Sequence, residues 1–160
     1  AHGIAVARTV GGLEELDDAI KKEGGQSATL VPIDLTDMPA IDRLGGAINE
    51  RWGKLDILVA NAGSLGTISP VSHVEAKVFD EVIDVNVKST WRLIRSVEPL
   101  LLKSDAGRAL VLSSSVAHTA RAFWGPYAGL GRGNGKDRAE GQFGRSRRHP
   151  HRHARPRLPG

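Results

Sequence analysis

Four short apolar runs divide the first part of the chain, and each has the length of a buried strand. They cover residues 3–8, 28–33, 55–60 and 108–113. Pro32 has no N–H for a ladder hydrogen bond, so it suits the end of the second strand. The third run, LDILVA, is apolar enough to be covered on both faces of a sheet. The pattern therefore predicts four strands.

Between these runs, apolar residues recur at spacings of three and four, which is the pattern of amphipathic helices. The first helix is predicted over residues 13–23, after a break at Gly11 and Gly12. The second helix ends at Gly53, a residue typical of helix C-termini. A long helical pattern then covers residues 75–102, and the pattern leaves open whether its first part is a separate short helix.

Strands and helices alternate along the chain, which predicts an α/β fold with a parallel sheet and right-handed crossovers. Ligands of such folds bind at the carboxyl ends of the strands. Polar side chains stand at all four of these ends, at Arg8, Asp34, Asn61 and Ser115. We therefore expect a binding site along this edge of the sheet.

The alternating pattern stops after Ala128. Residues 129–160 are rich in Gly, Arg, His and Pro, and have large apolar residues at only three positions: Leu130, Phe143 and Leu158. Such a segment has too little apolar surface to form a core. The sequence therefore predicts one domain over residues 1–128 and a disordered basic tail over residues 129–160.

Composition narrows the function classes. The chain has no Cys, which excludes disulfides, Cys-bound zinc and thiol catalysis. No apolar run approaches the roughly 18–20 residues that cross a bilayer, and the N-terminus does not resemble a signal peptide. We expect a soluble, cytoplasmic protein with no membrane partner. Residues 129–160 carry a net charge of +7, from eight Arg and one Lys against one Asp and one Glu, and the rest of the chain carries −3, which gives +4 in total.

Four motifs occur in a recognisable order and spacing. They are DLTD at 34–37, NAG at 61–63, DVNV at 84–87, and the serines 113–115 followed by Tyr127. With these motifs, residues 1–128 resemble the short-chain dehydrogenase/reductase family. The resemblance implies a Rossmann-like, doubly wound parallel sheet. It also implies hydride transfer between a nicotinamide and the carbonyl or alcohol carbon of a small molecule.

The resemblance assigns roles to three catalytic candidates. Tyr127 is expected to be the general acid or base at the substrate oxygen, and Ser115 is expected to hydrogen-bond that oxygen. The spacing to the tyrosine leaves Ser114 as the alternative to Ser115. Asn86 is expected to interrupt the long helix and anchor a water of a proton relay. Trp124 is interpreted either as a packing residue or as part of the substrate pocket.

The resemblance also assigns the cofactor site. Asn61, Ala62 and Gly63 are expected to line the cofactor. Asp34, with Leu35 beside it, is expected to accept a hydrogen bond from the adenine amino group. A guanidinium can pair with a 2′-phosphate that a carboxylate would repel, so Arg8 favours NADP(H) over NAD(H).

The sequence departs from the family pattern at two places. The family's first strand and its glycine-rich turn would precede Ala1, and that strand would lie between the strands at 3–8 and 55–60. Its removal is expected to leave ladder groups unpaired or to force a different pairing. The family's lysine falls at Gly131. We interpret the chain as a truncated fragment with a reading-frame shift near Ala128 and negligible turnover, so its status as an enzyme stays open.

Other functions are less well supported. An evolved basic tail that binds nucleic acid, on an otherwise non-catalytic remnant, is the alternative hypothesis. Phe143 is the only aromatic residue of the tail, so a stacking platform is missing and a specific nucleic-acid partner is not favoured. His149, His151 and His153 lack a carboxylate or Cys to complete a site, so no metal is expected. The parent family assembles as dimers or tetramers.

Overall fold

A computed structural model of the protein describes residues 1–117 and 123–128. The proposed basic tail, residues 129–160, lies outside the described residues. The elements follow in this order: β1 (Ile4–Ala7), α1 (Val10–Lys22), β2 (Thr29–Pro32), α2 (Met38–Trp52), β3 (Ile57–Ala60), a 3-10 turn (Val71–His73), α3 (Ala76–Ile83), a π-helical turn (Asp84–Lys88), α4 (Ser89–Leu101), β4 (Arg108–Val111) and a second 3-10 turn (Ser115–Ala117).

The strands form two separate parallel pairs. β1 pairs with β2, with Ile4 opposite Thr29, and β3 pairs with β4, with Ile57 opposite Arg108. β1 and β3 are not paired with each other, and residues of both strands line one cavity. An open gap therefore separates the two strands. The α/β class with parallel strands is confirmed. In the described residues, no ladder pairs β1 with β3 or β2 with β4.

Helices α2 and α4 pack against each other and bridge the two strand pairs on one side. The buried core consists of Leu44, Ile48, Leu58, Val97 and Leu100. β1, β2 and the segments around them contribute partly buried residues to the same core. The strand pairs are therefore held in one body by the helices, although no ladder joins them in the described residues.

Close approach and an ion pair fix the contact between these two helices. A Cβ on Gly45 would meet the Ser96 hydroxyl and come within 2.9 Å of the Ser96 carbonyl oxygen. Arg92 donates a hydrogen bond from Nε to Asp42 Oδ1 at 2.9 Å, and its Nη2 atom pairs with Asp42 Oδ2. The glycine allows the backbones to approach, and the two-point pair fixes the orientation of the helices.

Helix ends follow the local chemistry. Asp37 caps α2, since its Oδ1 accepts a hydrogen bond from the Ala40 N–H at 3.0 Å. Gly53 ends the helix in the left-handed region at φ +72°, where glycine is favoured.

The long helical pattern is a continuous run of α3, the π-helical turn and α4. Within the described residues, no helix is long and apolar enough to cross a membrane.

Two expectations about single elements are wrong. Gly11 and Gly12 lie inside α1 and do not break it, because the helix starts after Thr9 and its packing outweighs the low helix propensity of glycine. β3 is covered on one face only. Leu58 and Ala60 are buried, whereas Ile57 and Val59 are 62% and 54% exposed. No described element packs on the second face, so the apolar run overstates the burial of this strand.

Candidate active site

The carboxyl ends of three strands meet at one cavity of about 700 Å³. Arg8 follows β1, Asp34 follows β2, and residues 61–63 follow β3 directly. Because all three strands are parallel, their carboxyl ends lie at the same edge. The structure places all six residues expected to bind the cofactor in the lining of this cavity: Arg8, Asp34, Leu35, Asn61, Ala62 and Gly63.

The Asp34 carboxylate is held by its own turn. Its Oδ1 accepts hydrogen bonds from the Thr36 N–H at 2.9 Å and the Thr36 hydroxyl at 2.8 Å. These two bonds, and then the positive charge of Arg8, lower the pKa of Asp34 below its ordinary value. The carboxylate is therefore ionised at neutral pH and acts only as an acceptor, with Arg8 close enough to influence it.

Asn86 lies in the π-helical turn and binds the loop that follows β3. Its Oδ1 accepts from the Ser64 N–H at 2.7 Å, and its Nδ2 donates to the Ser64 carbonyl oxygen at 2.9 Å. Single π turns inside α-helices occur frequently at functional sites. The helix is interrupted where the sequence placed Asn86, and the side chain fixes the backbone immediately after the NAG motif.

An ion pair spans this turn. Lys88 Nζ lies 2.6 Å from Asp84 Oδ1, four residues earlier in the chain. The hydrogen bond that Lys88 donates to Asp84, together with the negative charge of that carboxylate, raises the pKa of Lys88 above its ordinary value. One residue further along, the Ser89 hydroxyl donates to the Val85 carbonyl oxygen at 2.5 Å. These contacts stabilise the backbone where the helical hydrogen bonds change register.

The two candidate serines differ in their surroundings. The Ser114 hydroxyl accepts from the Val116 N–H at 3.4 Å, and the Ser114 carbonyl accepts from the Ala117 N–H at 3.0 Å. Ser114 is thus the residue that starts the 3-10 turn, and it is half-buried, whereas Ser115 is exposed. Both serines stay candidates, and Ser115 is the more exposed residue of the two.

Tyr127 sits in a single turn of chain, closed by a hydrogen bond from the Ala128 N–H to the Trp124 carbonyl at 2.8 Å. Its ring meets the Trp124 ring edge-on, with centroids 6.0 Å apart and an angle of 68° between planes. Among the described residues, Tyr127, Ser115 and Asn86 lie outside the cavity lining. The structure therefore brings the six cofactor candidates together but does not bring the three catalytic candidates into the lining of the same cavity.

Sequence reasoning missed several polar residues at this site. Ser64, Ser89 and Thr90 line the cavity. Only Ser64 had a usable signal, because it directly follows the NAG motif. The contact between Ser69 and Phe123, whose N–H and carbonyl oxygen are 3.2 Å apart, had no signal in the sequence. In the described residues, no cluster of His, Asp and Glu could hold a metal ion.

Comparisons with known proteins agree with this geometry. The family model for short chain dehydrogenases matches residues 1–129. The uncharacterized oxidoreductase YciK of Escherichia coli K12 is 35% identical over 127 residues, which are 78% of this chain and 50% of YciK. The NADPH-dependent pterin aldehyde reductase of Arabidopsis thaliana is 31% identical over 119 residues, 70% of this chain and 49% of that protein.

A solved structure gives the same result. A short chain dehydrogenase from Shigella flexneri 2a, determined in complex with NADP, superposes with a TM-score of 0.74 at 34% identity. The match covers 86% of this chain and 56% of that one. The chain thus spans about half the length of the relatives it matches.

Proposed function

Because the chain belongs to the short chain dehydrogenase family, a family of oxidoreductases, we propose that it serves hydride transfer between NADP(H) and a carbonyl or alcohol carbon of a small molecule. The observation that carries the proposal is the cavity at the carboxyl ends of β1, β2 and β3. All six residues expected to bind the cofactor line it, and they come from three separate segments of the chain.

The donors and acceptors of this cavity fit a phosphorylated dinucleotide. Arg8 would hold the 2′-phosphate, since a guanidinium binds phosphate through paired, charge-assisted hydrogen bonds. The ionised Asp34 would accept from the adenine amino group. Residues 61–63 would lie along the rest of the cofactor, which would supply or accept the hydride when bound. The NADP complex of the Shigella relative supports the same preference.

The remaining roles belong to residues outside the cavity lining. Tyr127 would give or take the proton at the substrate oxygen, and Ser115 would donate a hydrogen bond to that oxygen. Asn86 would keep the loop after β3 in place through Ser64. Gly131 stands where the family has a lysine that lowers the tyrosine pKa. We therefore propose that turnover by this 160-residue chain is slow.

The test compares the affinities of NADPH and NADH, measured by cofactor fluorescence on the intact chain. We expect NADPH to bind more tightly, and Arg8→Ala to weaken NADPH by about tenfold or more with little effect on NADH. Arg43→Ala is the matched control, because Arg43 is an exposed arginine that does not line this cavity. Equal losses for both cofactors, or the same loss in both variants, would contradict the assignment of Arg8.

A further inference from the structure

The loop that follows β3 is fixed at three points. Ser64 is held by the Asn86 side chain, as described above. Gly66, at φ +65°, lies so close to α3 that a Cβ there would come within 2.5 Å of Val82 Cγ2. The Ser69 N–H donates to the carbonyl oxygen of Phe123 at 3.2 Å. This last bond joins the loop to the segment that carries Tyr127.

Phe123 has an unusual backbone and an exposed ring. Its φ of +70° lies in the left-handed region, which a bulky L-residue rarely adopts. Its side chain is 53% exposed, so burial of the ring does not explain the conformation. Strained residues of this kind concentrate at ligand sites, where the surrounding structure holds them in place. The bond from Ser69 is part of what holds this one.

Three apolar side chains lie on the two segments that the bond between Ser69 and Phe123 joins, and we name them the apolar lip: Ile68, Phe123 and Trp124. Ile68 directly precedes Ser69 and is 51% exposed. Trp124 follows Phe123 and meets the Tyr127 ring edge-on. The lip therefore borders the residue proposed to act on the substrate oxygen.

The two segments that form the lip have no charged side chains. The polar groups on the side chains of residues 61–72 and 123–128 are hydroxyl groups, one amide and the indole N–H of Trp124. A substrate with a phosphate or carboxylate would meet no opposite charge from these segments. A polyhydroxylated substrate would lose hydration where its hydroxyl groups meet the exposed apolar side chains of the lip, which offer them no hydrogen-bond acceptor.

We propose that the apolar lip binds the body of the substrate, and that the substrates are neutral carbonyl compounds with an alkyl or aryl body. The inference rests on the proposed function for the position of the reacting oxygen at Tyr127. Beyond that function, it adds the substrate class and assigns Phe123 as a residue that determines specificity.

The experiment measures binding, which does not require turnover. Saturation-transfer NMR on the intact chain compares benzylacetone with erythrulose, which has the same four-carbon ketone chain with hydroxyl groups, and with levulinate, a keto acid. Phe123→Asn removes the ring while keeping a residue that tolerates positive φ. Ile68→Ser is a second variant, at an exposed position where the fold is not at risk. Trp91→Ala, an exposed aromatic residue of α4, is the control.

We expect benzylacetone to bind at least tenfold more tightly than erythrulose or levulinate. Phe123→Asn and Ile68→Ser should each weaken benzylacetone, by about tenfold for the ring, while Trp91→Ala has no effect. Comparable affinities for the three probes, or unchanged benzylacetone affinity in both lip variants, would overturn the inference. Far-UV circular dichroism of each variant establishes that the fold is retained.

NADPH binding and NADPH oxidation, followed in the same samples, separate the two proposals. Binding of benzylacetone that depends on Phe123, in a chain that does not bind NADPH, would contradict the proposed function and leave the apolar lip as a ligand site. NADPH-dependent reduction of erythrulose in preference to benzylacetone would support the proposed function and refute the substrate class.

Discussion

Replacing Asn86 by Ala tests whether the π-helical turn holds the loop after β3. The side chain makes two hydrogen bonds to one residue, accepting from the Ser64 N–H at 2.7 Å and donating to the Ser64 carbonyl at 2.9 Å. Both partners are backbone groups in a part-buried position. The substitution removes both bonds at once and leaves the backbone of Ser64 without these partners.

The magnitude follows from the two bonds and from helix propensity. Each hydrogen bond contributes about 1 kcal/mol net to the free energy of unfolding. Alanine is the better helix former, and this offsets the loss by about 0.5 kcal/mol. We therefore expect Asn86→Ala to lower the free energy of unfolding by about 1.5 kcal/mol. Water reaches part of the site, so the larger penalty of a fully buried, unpaired group does not apply.

Urea denaturation followed by circular dichroism measures this difference. Asn49→Ala is the matched control, since Asn49 also lies in a helix and also makes a side-chain hydrogen bond, to Lys103 Nζ at 3.0 Å. That bond is exposed, so the control should change the free energy of unfolding by no more than about 0.5 kcal/mol. Both substitutions gain the same helix propensity, which cancels in the comparison.

Equal effects of the two substitutions would refute the reasoning. The Asn86 side chain would then contribute no more than an exposed polar contact, and the loop would have to be held by Gly66 and Ser69 alone. A loss confined to NADPH affinity, with unchanged stability, would instead assign Asn86 to the cofactor site and not to the support of its loop.

Two further predictions concern stability. Gly45→Ala should destabilise the protein by about 1–3 kcal/mol, because the new Cβ would overlap Ser96. The neighbouring Gly46 has open space around it, so Gly46→Ala should stabilise the protein by up to about 1 kcal/mol. The urea midpoints of the two variants, compared with that of the unchanged chain, test both expectations. The hydrogen bond from Lys21, 2.6 Å away, lowers the pKa of Asp17 in the folded state. The stability it gives is present above the ordinary aspartate pKa near 4 and is lost as pH falls below it, so Asp17→Asn should flatten the decline in urea midpoint between neutral and acidic pH.

In the described residues, the two strand pairs on either side of the gap between β1 and β3 are joined through helix packing. Backbone ladders join strands only within each pair, while α2 and α4 share one buried core across both. The side chains of β1 and β3 that face the gap line the same cavity as the cofactor candidates. The geometry of the candidate cofactor site therefore depends on the contact between α2 and α4.

The sequence by itself determined the type and order of the elements and the residues at the strand ends. These features depend on local spacing: apolar runs for strands, intervals of three and four for helices, and Gly53 in the left-handed region as a stop. Parallel strands then bring Arg8, Asp34 and Asn61 to one edge without further information, which is why the cofactor candidates were found together.

Only the tertiary structure decided which groups meet across the chain. Two contacts join segments that are distant in sequence: the hydrogen bonds between Asn86 and Ser64, and the bond between Ser69 and Phe123. The exposure of Ile57 likewise depends on which segments pack against β3. The spacing of apolar residues within one strand or helix does not indicate which element packs against it, and burial and hydrogen bonding depend on that neighbour. For this reason the apolar run at 55–60 predicted the strand β3 correctly and the burial of both its faces wrongly.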